Sequence, residues 1–120
     1  MSIVAYDFSQ NMPAVFHGAS KTLSFTVMAY DGDGNPTGVQ NITGWTLDFN
    51  VFDQLGNLVL TKTPTIPVGT DGVAQVPLTK TDTSATLGLP RYYAELSRID
   101  PGSEDLLAYG FLTFKSPKVQ

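Results

Sequence analysis

The sequence contains no cysteine, which excludes a disulfide framework, a thiolate nucleophile, an iron–sulfur cluster and a cysteine-based zinc site. It has one histidine, His17, and one tryptophan, Trp45. Cationic charge is scarce. Seven Lys and Arg stand against eleven Asp and Glu, a formal net charge of −4, so no broad positive field exists for phosphates or anionic lipid. Neither a nucleic acid nor a membrane is expected as a partner. Long apolar runs are also missing: the stretch Leu106 to Leu112 is far shorter than the ~20 residues a membrane span needs. Met1 to Asp7 has neither the basic nor the apolar region of a signal peptide. The Asn41-Ile42-Thr43 sequon, without a secretory route, is read as a chance match.

What is present favours strands. The 120 residues can close one hydrophobic core, and 42% of them are hydrophobic, well above the disordered range. Thr and Val are abundant, with eleven Gly and eight Pro spread along the chain, a pattern of strands punctuated by turns. Lys21 to Tyr30 alternates, with Leu23, Phe25, Val27 and Ala29 on one face. Asp31 to Pro36 reads as a turn. Trp45, Leu47, Phe49 and Val51 form a second inward set, and Asp53 to Asn57 turns into Leu58 to Thr63, with Leu58 and Leu60 inward. Pro64 and Pro67 place an exposed connection over Pro64 to Gly72, and Pro77 confines Val73 to Leu78 to an edge or a strand end.

Thr79 and Asp82 have the spacing of an N-cap and its reciprocal acid, which predicts one short helix over about residues 80–87. Arg91 to Ile99 and Asp105 to Phe114 complete a hairpin in which Tyr92, Ala94 and Leu96 oppose Leu112 and Phe114. The expected fold is all-β, an immunoglobulin-like antiparallel sandwich of about seven strands. Residues 1–14 are expected to form an N-terminal arm, 15–114 the sandwich and 115–120 a C-terminal tail.

Motifs for catalysis do not assemble. His17 would need a nucleophile and a carboxylate beside it, and Ser20 and Asp7 are only sequence neighbours. No G-x-S-x-G, H-E-x-x-H or phosphate loop is present. Asp31, Asp33 and Asn35 open like a calcium loop, but Pro36 and Ile42 fill the positions that need glycine and a bidentate glutamate. The many aspartates at turn positions suit backbone hydrogen bonding. No enzyme activity, cofactor or metal is expected. Trp45 and Tyr92 are read as core, whereas Tyr30, Phe52 and Tyr93 alternate to the opposite face, where aromatics suit an interface. Ile3, Val4, Tyr6 and Phe8, with Val15 and Phe16, make the arm more apolar than a free end should be, and so candidates for docking a partner.

The order of Lys21-Thr22-Leu23-Ser24-Phe25-Thr26-Val27, Asp31-Gly32-Asp33-Gly34-Asn35-Pro36 and Ile42-Thr43-Gly44-Trp45-Thr46-Leu47 is followed by four more segments. These are Asp53-Gln54-Leu55-Gly56-Asn57, Leu78-Thr79-Lys80-Thr81-Asp82-Thr83, Tyr92-Tyr93-Ala94-Glu95-Leu96 and Ala108-Tyr109-Gly110-Phe111-Leu112-Thr113. Together they resemble the immunoglobulin-like modules of tailed-bacteriophage virion proteins, similar to the N-terminal domain of baseplate upper proteins. The resemblance, over about residues 18–114, implies a non-catalytic structural protein of the virion. It would dock onto other virion proteins in a symmetric, multi-copy assembly, at tail, baseplate or fibre, or as capsid decoration. Its location would be the host cytoplasm during assembly and the virion afterwards. The alternative is a carbohydrate-binding or host-adhesion module, which requires at least two coplanar aromatics on an exposed face.

Overall fold

The alternation read in the sequence sets the layers of the computed structural model, which describes residues 5–10, 12, 14–84 and 90–115. Its strands are β1 (Tyr6–Asp7), β2 (Val15–Phe16), β3 (Lys21–Thr26), β4 (Met28–Tyr30), β5 (Pro36–Val39), β6 (Leu47–Phe52), β7 (Leu58–Lys62), β8 (Val73–Leu78), β9 (Arg91–Arg98) and β10 (Asp105–Lys115). The large sheet has the order β1-β10-β9-β6-β7, with β2 also on β10. Both β1 and β2 run parallel to β10, whereas β9 pairs with β10 and β6 antiparallel. In the small layer β3 pairs with β8 and β4 with β5. The protein is an all-β sandwich.

The core lies between the layers. Leu23, Phe25, Val27, Ala74, Val76 and Leu78 of the small layer meet Leu47, Phe49, Val51, Tyr92, Ala94, Leu96, Leu112 and Phe114 of the large sheet in one buried cluster. The rings of Phe25 and Phe49 pack with centroids 5.6 Å apart. Tyr92 opposes Leu112, as the hairpin reading expected, whereas Ala94 opposes Gly110, Leu96 opposes Ala108 and Phe114 pairs with Val15. Pro77 lies opposite Thr22 at a position whose missing N–H faces away from β3, so no ladder bond is lost.

The loop from Asp31 to Asn35 and that from Asp53 to Asn57 are one turn used twice. In each, the aspartate N–H donates to the asparagine carbonyl at 2.9 Å, and the glycine N–H returns to the aspartate carbonyl at 3.1 Å. The Asp Oδ1 accepts two further loop amides. Gly34 and Gly56 take φ 83° and 85°, where a β-carbon is disfavoured.

Four expectations change. The helix over 80–87 is not formed by its described part: residues 80–84 make turns, while 85–87 lie outside the described residues. The predicted reciprocal bonds exist, Thr79 N–H to Asp82 Oδ2 at 2.8 Å and Asp82 N–H to Thr79 Oγ1 at 3.2 Å, but they close a turn. The helical element among the described residues is a 3₁₀ turn, Gly69–Asp71. Leu58 is 57% exposed, because the register shift between Val51 and Phe52 sets Leu58 opposite outward-facing Phe52. Trp45 precedes β6 and is only half-buried. Finally, the first strand lies inside the expected arm, and Phe8 is 3% exposed, edge-on to Phe25 at 5.2 Å. The apolar character of this segment therefore has an internal use, closing the open side of the sandwich.

Candidate interaction surface

Strand pairing decides which side chains share the outer face of the large sheet. Phe52 stands opposite Tyr93, and Tyr93 opposite Phe111, so three rings form a row across adjacent strands. Centroids are 6.3 Å apart for Phe52 and Tyr93, and 5.9 Å for Tyr93 and Phe111. The guanidinium of Arg91 lies 4.4 Å from the Phe111 ring centre, and Phe111 is still 44% exposed. A polar row follows: Thr61, Asn50, Glu95, Tyr109 and Asp7 in pairing order. Thr61 Oγ1 donates to Asn50 Oδ1 at 2.9 Å, and Tyr93 Oη donates to Glu95 Oε2 at 3.0 Å. Burial, and then Glu95, push the Tyr93 phenol up to about 12. It is a neutral donor at physiological pH, not a base.

Toward the β9–β10 turn this face hollows into a shallow cleft of about 440 Å³, lined in part by Asp48, Ser97, Arg98, Glu104 and Asp105. Arg98 is committed elsewhere. Its Nε donates to Asp100 Oδ2 at 2.7 Å, and its guanidinium lies 4.0 Å from the Trp45 ring centre. Asp100 Oδ2 also accepts the Thr46 N–H at 2.9 Å. Arg98 first, and this amide second, hold the Asp100 carboxyl at about 2. The cluster pins the loop before β6 to the β9–β10 turn.

Of the sequence candidates, Phe52 and Tyr93 are brought together on this face. Tyr30 lies on the other layer, beside Tyr6. Phe8 is withdrawn into the core, and Ile3 and Val4 lie outside the described residues. Phe111 and Arg91 complete the surface and were not singled out from sequence. The alternation of Tyr109, Phe111 and Thr113 against Leu112 and Phe114 was the available signal.

His17 and Asp7 do not meet. Asp7 pairs beside Tyr109 and Phe16 beside Lys115, which separates them by roughly 20 Å along β10 at the usual rise per residue. Asp7 instead accepts from Ser9 Oγ at 2.6 Å, and His17 lies against Phe114. Asp31 Oδ1 accepts two amides of its own turn. Among the described residues no group of three His, Asp or Glu is placed to hold a metal, and no helix is long and apolar enough to cross a membrane. No family model and no curated protein matches the chain.

Proposed function

We propose that the chain is a structural module that binds other proteins without catalysis, of the kind built into tailed-phage virions at tail, baseplate or fibre attachment. The observation that carries this reading is the row Phe52, Tyr93 and Phe111 on the outer face of the large sheet, with Arg91 over its exposed end. Aromatic residues and arginine are the types that dominate binding energy at protein interfaces. A rigid sheet presents them at little cost in side-chain entropy, and many copies in one assembly multiply a modest contact. The resemblance to virion modules supplies the class of partner: other virion proteins.

The sugar-binding alternative asks for a flat platform. Interplanar angles of 37° and 70° along the row do not make one, and Tyr30 is on the opposite layer. The test is a Phe52→Ala/Phe111→Ser variant. It should unfold at nearly the wild-type urea concentration yet be lost from assembled particles, which quantitative mass spectrometry of purified particles would read. Incorporation at wild-type copy number sinks the reading.

A further inference from the structure

Beyond that face, the strand from Lys21 to Tyr30 has one edge inside the small layer and one outside it. Val27 donates to the Gly72 carbonyl and accepts from the Gln40 N–H, both at 2.8 Å. Strands β8 and β5 therefore lie end to end along a single edge. By the alternation of a strand, the amides and carbonyls of Thr22, Ser24, Thr26, Met28 and Tyr30 point the other way. Among the described residues no strand pairs with this second edge, and the Thr26 amide is met by the Tyr6 phenol oxygen.

Three other edges are guarded. Strands β1 and β2 cover β10, β7 carries Lys62 with Pro64 just beyond, and Pro77 sits on the outer edge of β8, where Thr65 bridges Gln75. From Thr22 to Tyr30 there is no charge and no proline, so the usual protections against strand addition are missing. Tyr6, Ser24, Thr26, Met28 and Tyr30 line a hollow of about 430 Å³ beside this edge.

We propose that this edge pairs with the same edge of a second copy of the chain, antiparallel about a two-fold axis at Thr26. Thr26 then faces Thr26, Ser24 faces Met28 and Thr22 faces Tyr30, all at positions whose amides and carbonyls point outward. The same register sets Lys21 of each copy opposite Asp31 of the other. These are the charges that flank the uncharged strand, and they are of opposite sign. Moving the axis to Ser24 leaves Lys21 against Val27, and moving it to Met28 leaves Asp31 against Phe25, so charge selects the Thr26 register. The Thr26 amide exchanges the Tyr6 phenol for a carbonyl of the second copy, and the two small layers become one continuous sheet.

Light scattering across a concentration series tests this. The mass should rise from 12.9 kDa toward twice that value. Lys21→Asp should raise the dissociation constant about tenfold or more, since both ends of the interface gain a like-charge pair. Lys21→Arg, which keeps the charge, should associate like the wild type. Because the chain has no cysteine, Thr26→Cys gives a clean probe. Paired Cα atoms about 5.5 Å apart permit a disulfide, so mild oxidation should link Thr26→Cys copies quickly, and Ser24→Cys copies slowly. A monomeric mass up to about millimolar concentration would overturn the proposal and leave the edge to an extended segment of another protein. A Lys21→Asp variant that associates as tightly as the wild type would also overturn it. So would a Thr26→Cys variant that links no faster than Thr61→Cys, a control on the other sheet.

Discussion

Replacing Gly110 by alanine tests how the first strand is held. Gly110 lies in the middle of β10 with φ 151°, outside the range a residue with a β-carbon adopts comfortably. A β-carbon placed there would come 2.7 Å from Ser9 Oγ, 2.8 Å from Asp7 Oδ1 and 2.9 Å from the Ser9 backbone nitrogen. The backbone strain costs about 1–2 kcal/mol, and relieving the overlap about 1–3 kcal/mol more, because a main-chain atom cannot step aside like a side-chain tip. Displacing Asp7 to Ser9 also loosens the Phe111 N–H to Ser9 Oγ bond of 2.8 Å and the seat of Phe8. Urea unfolding should show a midpoint about 1–3 M lower, given slopes of about 1–3 kcal/mol per molar for small domains.

The decisive comparison is the same substitution in a chain lacking residues 1–9. There only the backbone strain remains, so the cost of Gly110→Ala should fall by roughly 1–3 kcal/mol. An equal cost in both backgrounds would refute the idea that the passing segment forbids a side chain.

Three further outcomes follow from the geometry. Asp100 has its carboxyl at about 2 rather than 3.8, so its contribution to stability is complete above its ordinary value and is lost as pH falls from there through about 2. Asp100→Asn should flatten that limb of a urea-midpoint profile, and an unchanged acid limb would count against the Arg98 and Thr46 contacts. Thr83 is fully buried, and its Oγ1 donates to the Ala19 carbonyl at 2.6 Å. Thr83→Val should therefore cost about 1–3 kcal/mol, whereas Thr83→Ser, which keeps the bond and loses a methyl, should cost about 1 kcal/mol; the reverse order would show that packing, not the bond, matters. Arg98→Met should change the emission of the single tryptophan while costing no more than about 1 kcal/mol, and an unaltered spectrum would place the guanidinium away from the indole.

Period-two patterning made the sandwich legible wherever a strand is buried on one face, as in Lys21 to Tyr30 and Arg91 to Ile99. It failed where a single extra residue intervened. The bulge near Val59 turned Leu58 outward, and nothing in Leu58 to Thr63 announces it. The pairing of Thr79 with Asp82 was read correctly as a chemical contact and wrongly as the start of a helix, since the same two bonds close an isolated turn equally well. The arm was misjudged for a different reason. Parallel pairing of Tyr6 and Val15 with β10 joins segments about a hundred residues apart, beyond the reach of local periodicity. Phe52 and Tyr93 could be placed on a common face from their parity alone, but adding Phe111 required the registers of both neighbouring strands. The shared Asp-x-x-Gly-Asn pattern of the two hairpin loops was present in the letters, and it explains why Asp31 Oδ1 serves the amides of its own turn.

Because β1 and β2 run parallel to β10, a pull applied at Tyr6 and an opposite pull applied at Lys115 act along the direction of the strands. The bonds of that seam, including Phe8 N–H to the Tyr109 carbonyl at 2.8 Å and His17 N–H to the Lys115 carbonyl at 2.9 Å, are then loaded in shear. They must yield together instead of unzipping in turn. A pull between Tyr6 and Lys115 along the strands is by this arrangement shared among all the bonds of the seam at once.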